Sequence, residues 1–353
     1  MEGKINHKAI VLAREVRGHS QKEFAELLEI DQAIISKIEQ GLRPVTESLL
    51  TQISKILDFP ENFFFEPVET YGLSMVYFRK RKSLPVRWFN ELKANIELRR
   101  FHIEKLLASV DVEVKLEYTE PDETQTPEDI ARACRYKWGI PEGPIKNVVD
   151  VLEDAGILVL KLPMTHEKLD GITFFTSNWH PIIYINYDKP PDRINFNLAH
   201  ELGHLVMHLL YVPTADRDTE DEANRFASEF LMPESEIKPY LNELSLPELA
   251  DLKRMWNVSM AAVLYKAHYL GCISDSKYTN LNIQLSAAGY KTREPDLGLV
   301  KHEPRLLTEL IETHLGELAY TKNDLASLLK VNPTYLNNVY FGFHSGFKLV
   351  AGG

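Results

Sequence analysis

The sequence predicts a mainly α-helical protein with one small β-sheet, which places it in the α+β class. Most segments repeat apolar residues at helical spacing and carry capping residues at their ends. Strand-like runs occur together, between residues 157 and 186. A chain of 353 residues is long enough to form two or three domains, each with its own core.

The bulk composition excludes several classes of protein. No apolar run reaches eighteen residues and the N-terminus has no signal-peptide pattern, so we expect a cytoplasmic protein without a membrane partner. The two cysteines, Cys134 and Cys272, form no CxxC motif, which argues against a disulfide framework or a thiolate metal site. The net charge of −11 argues against a uniformly basic surface for nucleic acid, but it allows one small DNA-binding face.

Residues 1–66 predict a compact helical domain. Ser20 has the position of an N-cap, with Glu23 completing a capping box, and Asp31 is expected to cap the next helix. Gly41 then ends that helix. Two short helices joined by a tight turn form a helix-turn-helix arrangement.

The stretch from Ser20 to Gly41 resembles the phage-repressor (Cro/C1, or XRE) DNA-binding family. The resemblance implies a third helix in the major groove and flanking residues near phosphates. Its groove-facing residues would be Gln32, Ala33, Ser36 and Lys37, and its phosphate neighbours Gln21 and Arg43. Gln, Ser and Lys are side chains that hydrogen-bond bases and phosphates.

The charge of this domain leaves its role open. Residues 1–66 contain eight Lys or Arg and eleven Asp or Glu, and such a domain binds DNA weakly unless it dimerises. A homodimer is therefore one expectation, and a helix-turn-helix used only for protein contacts is the alternative.

Residues 67–120 predict a basic linker followed by a long helix. The cluster Arg79–Lys82 precedes an apolar pattern over residues 86–110 that also carries basic residues. The helix could make a second nucleic-acid contact or set a dimer spacing. We favour a connector helix with a solvated basic face, because charge runs usually mark solvated faces.

Residues 121–273 predict a second domain of helices around a small sheet. Helices are expected over residues 130–138 and 145–155, and strands over 157–160, 171–175 and 181–186. The last two strands flank a short polar turn and predict a hairpin. An edge strand of such a sheet can pair with an extended peptide.

The run from Asn197 to His208 contains a His-Glu-x-x-His motif with metal-ligand spacing. On a helix, His200 and His204 lie on one face and can bind one metal ion. Glu201 is rotated by about a hundred degrees, so it can act as general base toward a water on that ion. Asp192 is expected to cap this helix, and its buried stripe consists of Ile194, Leu198, Leu202, Leu205 and Leu209.

A catalytic zinc site with two histidines needs a third protein ligand and one open position. The predicted helix over residues 220–233 offers Glu220, Asp221 and Glu222. The sequence resembles the ImmA/IrrE family of metallopeptidases in two motifs. The first is His200-Glu201-x-x-His204, and the second is Glu220-x-x-Ala223-Asn224-x-Phe226.

The ImmA/IrrE resemblance implies a zincin-like domain with Glu220 as the third zinc ligand. Asn224 would orient a ligand, one helical turn further along. His208 continues the ligand face and is expected to support the site or to pack beside it. Tyr184 and Arg193 are two unassigned candidates for stabilising the oxyanion.

Together, these features predict a zinc-dependent endopeptidase coupled to transcriptional regulation. The ImmA/IrrE resemblance implies that its substrate is a repressor-type protein. Two alternatives remain open: a DNA-binding regulator whose metallopeptidase-like domain is a sensor, and a component of a toxin–antitoxin or phage-related locus. Self-cleavage within residues 67–84 is a further expectation.

Residues 274–353 predict a C-terminal helical region that contains an internal repeat of the N-terminal motif, which we call the internal echo. Residues 321–342 align without gaps on residues 20–41, which suggests a second helix-turn-helix unit. Its second helix carries Tyr335, Asn337 and Asn338 in place of basic residues. It is expected to be a packing or partner module, unless capping rules alone produced the match.

Overall fold

A computed structural model describes residues 4–68, 85–122, 124–166, 168–209 and 217–342. It divides the chain into two compact units, one formed by residues 1–111 with 308–353 and the other by residues 112–307. Within the ranges described, the chain is mainly helical and forms one three-stranded sheet, as the sequence predicts. The four-segment division by sequence, at residues 66, 120 and 273, remains a prediction.

The first unit begins with four short helices: α1 (His7–Val16), α2 (Gln21–Leu27), α3 (Gln32–Glu39) and α4 (Glu47–Leu57). A 3-10 turn over Glu61–Phe65 follows. Ser20 and Glu23 form the predicted capping box at the start of α2. Asp31 holds the N-cap position of α3, but its side chain makes no capping hydrogen bond.

A long helix, α5 (Val86–Leu107), packs on the same core and ends three residues before the predicted Val110. Its buried residues Ala94, Leu98 and Phe101 join the core formed by α1–α4. The basic cluster Arg79–Lys82 lies outside the described residues.

The C-terminal helices belong to the first unit and pack against it through polar and aromatic contacts. They are α14 (Leu306–Gly316), α15 (Lys322–Leu329) and α16 (Pro333–Leu336), followed by a π-helical turn over Asn337–Phe341. Asn332 donates to Asp58 (2.6 Å), and Tyr335 lies 6.4 Å from the Phe59 ring. This packing supports the prediction of a packing module.

The second unit opens with an extended segment, residues 112–122, and two helices, α6 (Pro127–Lys137) and α7 (Val148–Asp154). Its sheet has the order β1–β3–β2, with strands β1 (Leu158–Lys161), β2 (Gly171–Phe175) and β3 (Pro181–Ile185). β1 is parallel to β3, and β2 pairs antiparallel with β3 as the predicted hairpin. β2 is therefore an edge strand of the described sheet.

Two helices follow the sheet and cross each other closely: α8 (Pro191–Met207) and α9 (Thr219–Leu231). The close approach depends on Gly203, where an added Cβ would lie 3.3 Å from the Ala223 Cα and 3.2 Å from the Phe226 ring. The predicted apolar stripe of α8 lies in the core, with Leu209 partly buried.

The predicted cap of α8 is wrong. The N-cap is Pro190, which makes no capping hydrogen bond, and Asp192 lies inside the first turn. The Asp192 carboxylate instead accepts from the buried Lys253 Nζ (2.8 Å). Lys253 lies on α11 (Leu246–Trp256), so this ion pair ties the start of α8 to α11. The other helices described in the second unit are α10 (Glu234–Ile237), α12 (Met260–Tyr269) and α13 (Asp275–Ala287).

Candidate metal centre and nucleic-acid interface

His200, His204 and Glu220 come together where α8 and α9 cross. One ligand atom from each lies within 4.8 Å of the others. The two Nε2 atoms are 3.1 Å apart, and the Glu220 oxygens lie 3.8 Å from His200 Nε2 and 3.7 Å from His204 Nε2. His204 is buried, whereas His200 and Glu220 are partly exposed. The cluster therefore has a solvent-accessible side.

These distances fit a tetrahedral zinc site. With zinc–nitrogen bonds of about 2.0–2.1 Å, two ligands of a tetrahedral ion are separated by about 3.3 Å. The nitrogens already lie near that spacing, and the carboxylate needs to approach by roughly half an ångström. Glu222, the competing carboxylate, faces away from this cluster, as described below.

His200 is oriented by Asn224, one turn after Glu220 on α9. Its Nδ1 lies 3.0 Å from the Asn224 Oδ1. An amide oxygen only accepts, so His200 carries its proton on Nδ1 and leaves the Nε2 lone pair free. This is the tautomer that a metal-binding Nε2 requires.

His204 is held from the opposite side by His208 and Glu222. Its Nδ1 lies 2.9 Å from the His208 Nδ1, and the His208 Nε2 lies 2.8 Å from the Glu222 Oε2. Arg217 donates to both oxygens of Glu222, from Nε (3.0 Å) and Nη2 (2.8 Å). Arg217 precedes α9 in a polar segment without a motif, so it was not among the predicted site residues.

The charge state of this group follows from the same contacts. Burial lowers the pKa of His208, although the Glu222 hydrogen bond acts to raise it. Burial would raise the pKa of Glu222, but the hydrogen bonds from Arg217 and His208 outweigh it and hold that pKa below its ordinary value. A neutral imidazole against an ionised carboxylate is the result.

The Glu201 side chain contacts strand β2. Thr173 Oγ1 donates to the Glu201 Oε2. At Gly171, an added Cβ would lie 2.8 Å from both Cγ and Oε1 of Glu201, so any larger residue would displace this side chain. Neither β2 residue was predicted to belong to the site, because a Gly and a Thr in an apolar strand carry no sequence signal of one.

A cavity of about 350 Å³ is lined in part by Asn224, whose side chain also contacts the metal-cluster residue His200. The apolar part of its wall consists of Phe196, Ala262 and Tyr265. The charged part consists of Arg193, Asp221 and Arg225. Phe196 and Arg193 lie one and two turns before His200 on α8, so the ligand face continues into the cavity.

The two unassigned oxyanion candidates lie in different surroundings. Tyr184 is fully buried in β3, and its ring stacks on Phe174. Arg193 is exposed and lines the cavity. Arg193 therefore lies where a substrate could reach it.

In the first unit, α3 presents the predicted groove-facing residues. Gln32, Ala33, Lys37 and Arg43 are exposed, and Ser36 is partly exposed. Ser36 accepts a hydrogen bond from the neighbouring Gln40 amide (3.2 Å).

Gln21, which was expected near phosphate, links the buried Glu39 to the exposed Gln32. Its amide donates to the buried Glu39 (2.8 Å) and accepts from Gln32 (3.0 Å). Glu39 is in turn held by Arg14 at 2.5 Å. A buried ion pair thus orients the exposed amide of Gln32 through Gln21.

No helix within the described ranges combines the length and apolar character needed to cross a bilayer.

Fold and site together define a class: a helix-turn-helix unit joined to a helical domain with a His-His-Glu cluster on crossed helices. Comparison with protein families agrees. Residues 10–64 match the helix-turn-helix family model, and residues 152–268 match the Peptidase_M78 model, described as the IrrE N-terminal-like domain. The chain therefore joins an XRE-type helix-turn-helix domain to an IrrE-like peptidase domain, as both resemblances predicted. No curated protein matches the chain.

Proposed function

We propose that this chain is a zinc-dependent endopeptidase that cleaves a repressor-type protein near DNA. The observation that carries the proposal is the joint arrangement of His200, His204 and Glu220 with the buried Glu201. Three ligands with a solvent-accessible side suit catalysis, since a catalytic zinc keeps one position open.

The site residues would have two different roles, metal binding and proton transfer. His200, His204 and Glu220 would hold the metal, which when bound supplies a Lewis acid for polarising a peptide carbonyl. Glu201 would accept a proton from the attacking water and return it to the leaving amine nitrogen. Thr173 and the space at Gly171 keep the Glu201 carboxylate in one orientation.

Two features next to the site suit an extended peptide. β2 is an edge strand of the described sheet and touches Glu201, so its backbone could pair with a substrate strand. The cavity of about 350 Å³ beside Asn224 has room for one large side chain near the scissile bond. We expect an apolar residue there, because Phe196, Ala262 and Tyr265 form the wall.

The helix-turn-helix domain would hold the peptidase domain close to DNA. Binding to DNA would raise the effective concentration of substrates bound nearby, since both domains belong to one chain. We also propose that the DNA-binding form is a homodimer, because the net negative domain would otherwise bind weakly.

The test compares the wild-type chain with Glu201→Gln against purified helix-turn-helix repressors on their operator DNA. Cleavage products are identified by mass spectrometry, and zinc content is measured on the same samples. Glu248→Gln is the matched control, since it makes the same chemical change at an exposed carboxylate on α11 that lines neither the metal cluster nor the cavity. We expect the wild type and the control to cleave, and Glu201→Gln to retain zinc without cleaving.

Other outcomes separate the remaining explanations. Equal cleavage by wild type and Glu201→Gln would refute the general-base role. Zinc binding without cleavage of any protein or peptide would favour the sensor alternative, in which the domain needs only its ligands.

A further inference from the structure

We propose that Arg217 and Glu222, acting through His208, are positioning residues that fix the tautomer and orientation of His204. This inference rests on the proposed metal site, and it extends that site to residues with no role in the sequence motif. Its basis is a continuous series of hydrogen bonds whose proton positions follow from the contacts.

The first step is the proton on His204. Its Nε2 faces His200 Nε2 at 3.1 Å and Glu220 at 3.7 Å, so this is the nitrogen available to a metal. A neutral imidazole that binds through Nε2 carries its proton on Nδ1. That proton must then be donated, and the atom 2.9 Å away is the His208 Nδ1.

The second step is the proton on His208. Because its Nδ1 accepts from His204, a neutral His208 must carry its proton on Nε2. That nitrogen lies 2.8 Å from Glu222 Oε2, a carboxylate that can only accept when ionised. One set of neutral tautomers therefore satisfies the whole series from Glu222 to the metal-facing nitrogen.

The third step is the anchor of the carboxylate. Arg217 grips Glu222 with two nitrogens, and this planar bidentate pair fixes direction as well as charge. Both side chains are mostly buried, at 17% relative exposure each, so solvent screens the pair less than a surface ion pair. Removing either partner should loosen His208 and, through it, His204.

The series also reaches the extended segment at the start of the second unit. Arg217 Nη1 donates to Glu120 (2.9 Å), and the Thr119 amide donates to the Val206 carbonyl in the last turn of α8 (3.0 Å). Glu120 is half exposed, so its contribution should be small.

The experiment measures zinc affinity of the full chain by chelator competition. Residues that support a metal ligand typically change affinity about 10- to 100-fold. We expect a loss in this range for Arg217→Met and for Glu222→Gln, and less than threefold for the control Glu248→Gln, which changes an exposed carboxylate on α11. His208→Gln retains an oxygen that can accept from His204, so it should bind zinc more tightly than His208→Leu of similar size.

The second readout is the tautomer state of the wild type, from NMR of the zinc-loaded chain with ¹⁵N-labelled histidine. We expect the Nδ1–H form for His204 and the Nε2–H form for His208. The Nδ1–H form for His208, or unchanged zinc affinity in Arg217→Met and Glu222→Gln, would overturn the assignment. This measurement stands even if a variant fails to fold.

Failure of this inference can be told apart from failure of the proposed function. If the wild-type chain binds no zinc, the metal site itself is wrong. If the wild type binds zinc and cleaves protein while the Arg217 and Glu222 variants match it, only the positioning role is lost.

Discussion

Replacing Gly171 by alanine tests the catalytic role of Glu201 without touching a metal ligand. The new Cβ would lie 2.8 Å from the Glu201 Cγ and Oε1. Gly171 has no left-handed backbone conformation, so the substitution adds a methyl group without imposing backbone strain. The effect should therefore come from the displaced carboxylate.

The magnitude follows from the contact distance. Carbon atoms pack at about 3.5–4.0 Å, so the Glu201 side chain must move by roughly 1 Å. A displacement of that size from a reactive geometry can cost about 100-fold in rate. The crowding should also lower the free energy of unfolding by about 1–3 kcal/mol.

The assay is kcat/KM for cleavage of an identified substrate, measured beside zinc affinity and thermal stability. Gly316→Ala is the matched control, because nothing lies within 4 Å of a Cβ at that position. We expect Gly171→Ala to lose about 100-fold in kcat/KM while zinc affinity stays unchanged. Full activity in a folded Gly171→Ala protein would refute the placement of Glu201 as the proton-carrying group.

Three further predictions concern other parts of the molecule. Gln32→Ala with Lys37→Ala should weaken operator binding at least tenfold in a fluorescence-anisotropy titration, with Lys55→Ala as control; equal binding would exclude α3 from the groove. Ala262→Trp should fill part of the cavity and change substrate preference in a peptide library with zinc affinity unchanged; an identical preference would remove the cavity from substrate recognition. Burial lowers the pKa of His102 from its ordinary value of 6.5 to about 3. Between these two values the unfolded chain binds a proton at this histidine that the folded chain does not bind. The free energy of unfolding therefore falls as the pH drops below about 6.5. The slope should reach about 1.4 kcal/mol per pH unit and should flatten in His102→Gln, and an equal slope in both proteins would contradict this assignment.

Local signals in the sequence predicted much of the fold. The Ser20–Glu23 capping box and the β2–β3 hairpin are confirmed, because both depend on contacts between residues close in sequence. The cap of α8 was wrong, since the Asp192 carboxylate bonds to Lys253, sixty-one residues away. A distant buried cation outweighed a local preference, and no spacing in the sequence reveals it.

The internal echo illustrates the same limit. Thr321 and Asp324 form a capping box like that of Ser20 and Glu23, so the first half of the echo is a true local likeness. The second helix, α16, has only four residues. Tyr335 contacts Phe59 and Arg17, and this tertiary packing was invisible to an alignment of the two stretches.

At the candidate metal centre, the sequence predicted the residues that the motifs contain. The residues around them were not predictable, because Arg217, Thr173 and Gly171 reach the site from segments without a motif. Their roles depend on distances that only the folded chain defines.

The contact at Gly203 links metal binding to helix packing. Glu220 can approach the two imidazoles only while α9 lies against α8, at the spacing that Gly203 and Ala223 permit. If the proposed site binds a metal, its occupancy and the packing of these two helices would be coupled equilibria. A zinc concentration one hundred times the Kd would stabilise the packed form by about 2.7 kcal/mol. The availability of zinc would thus set what fraction of the peptidase domain is folded, in addition to whether it can react.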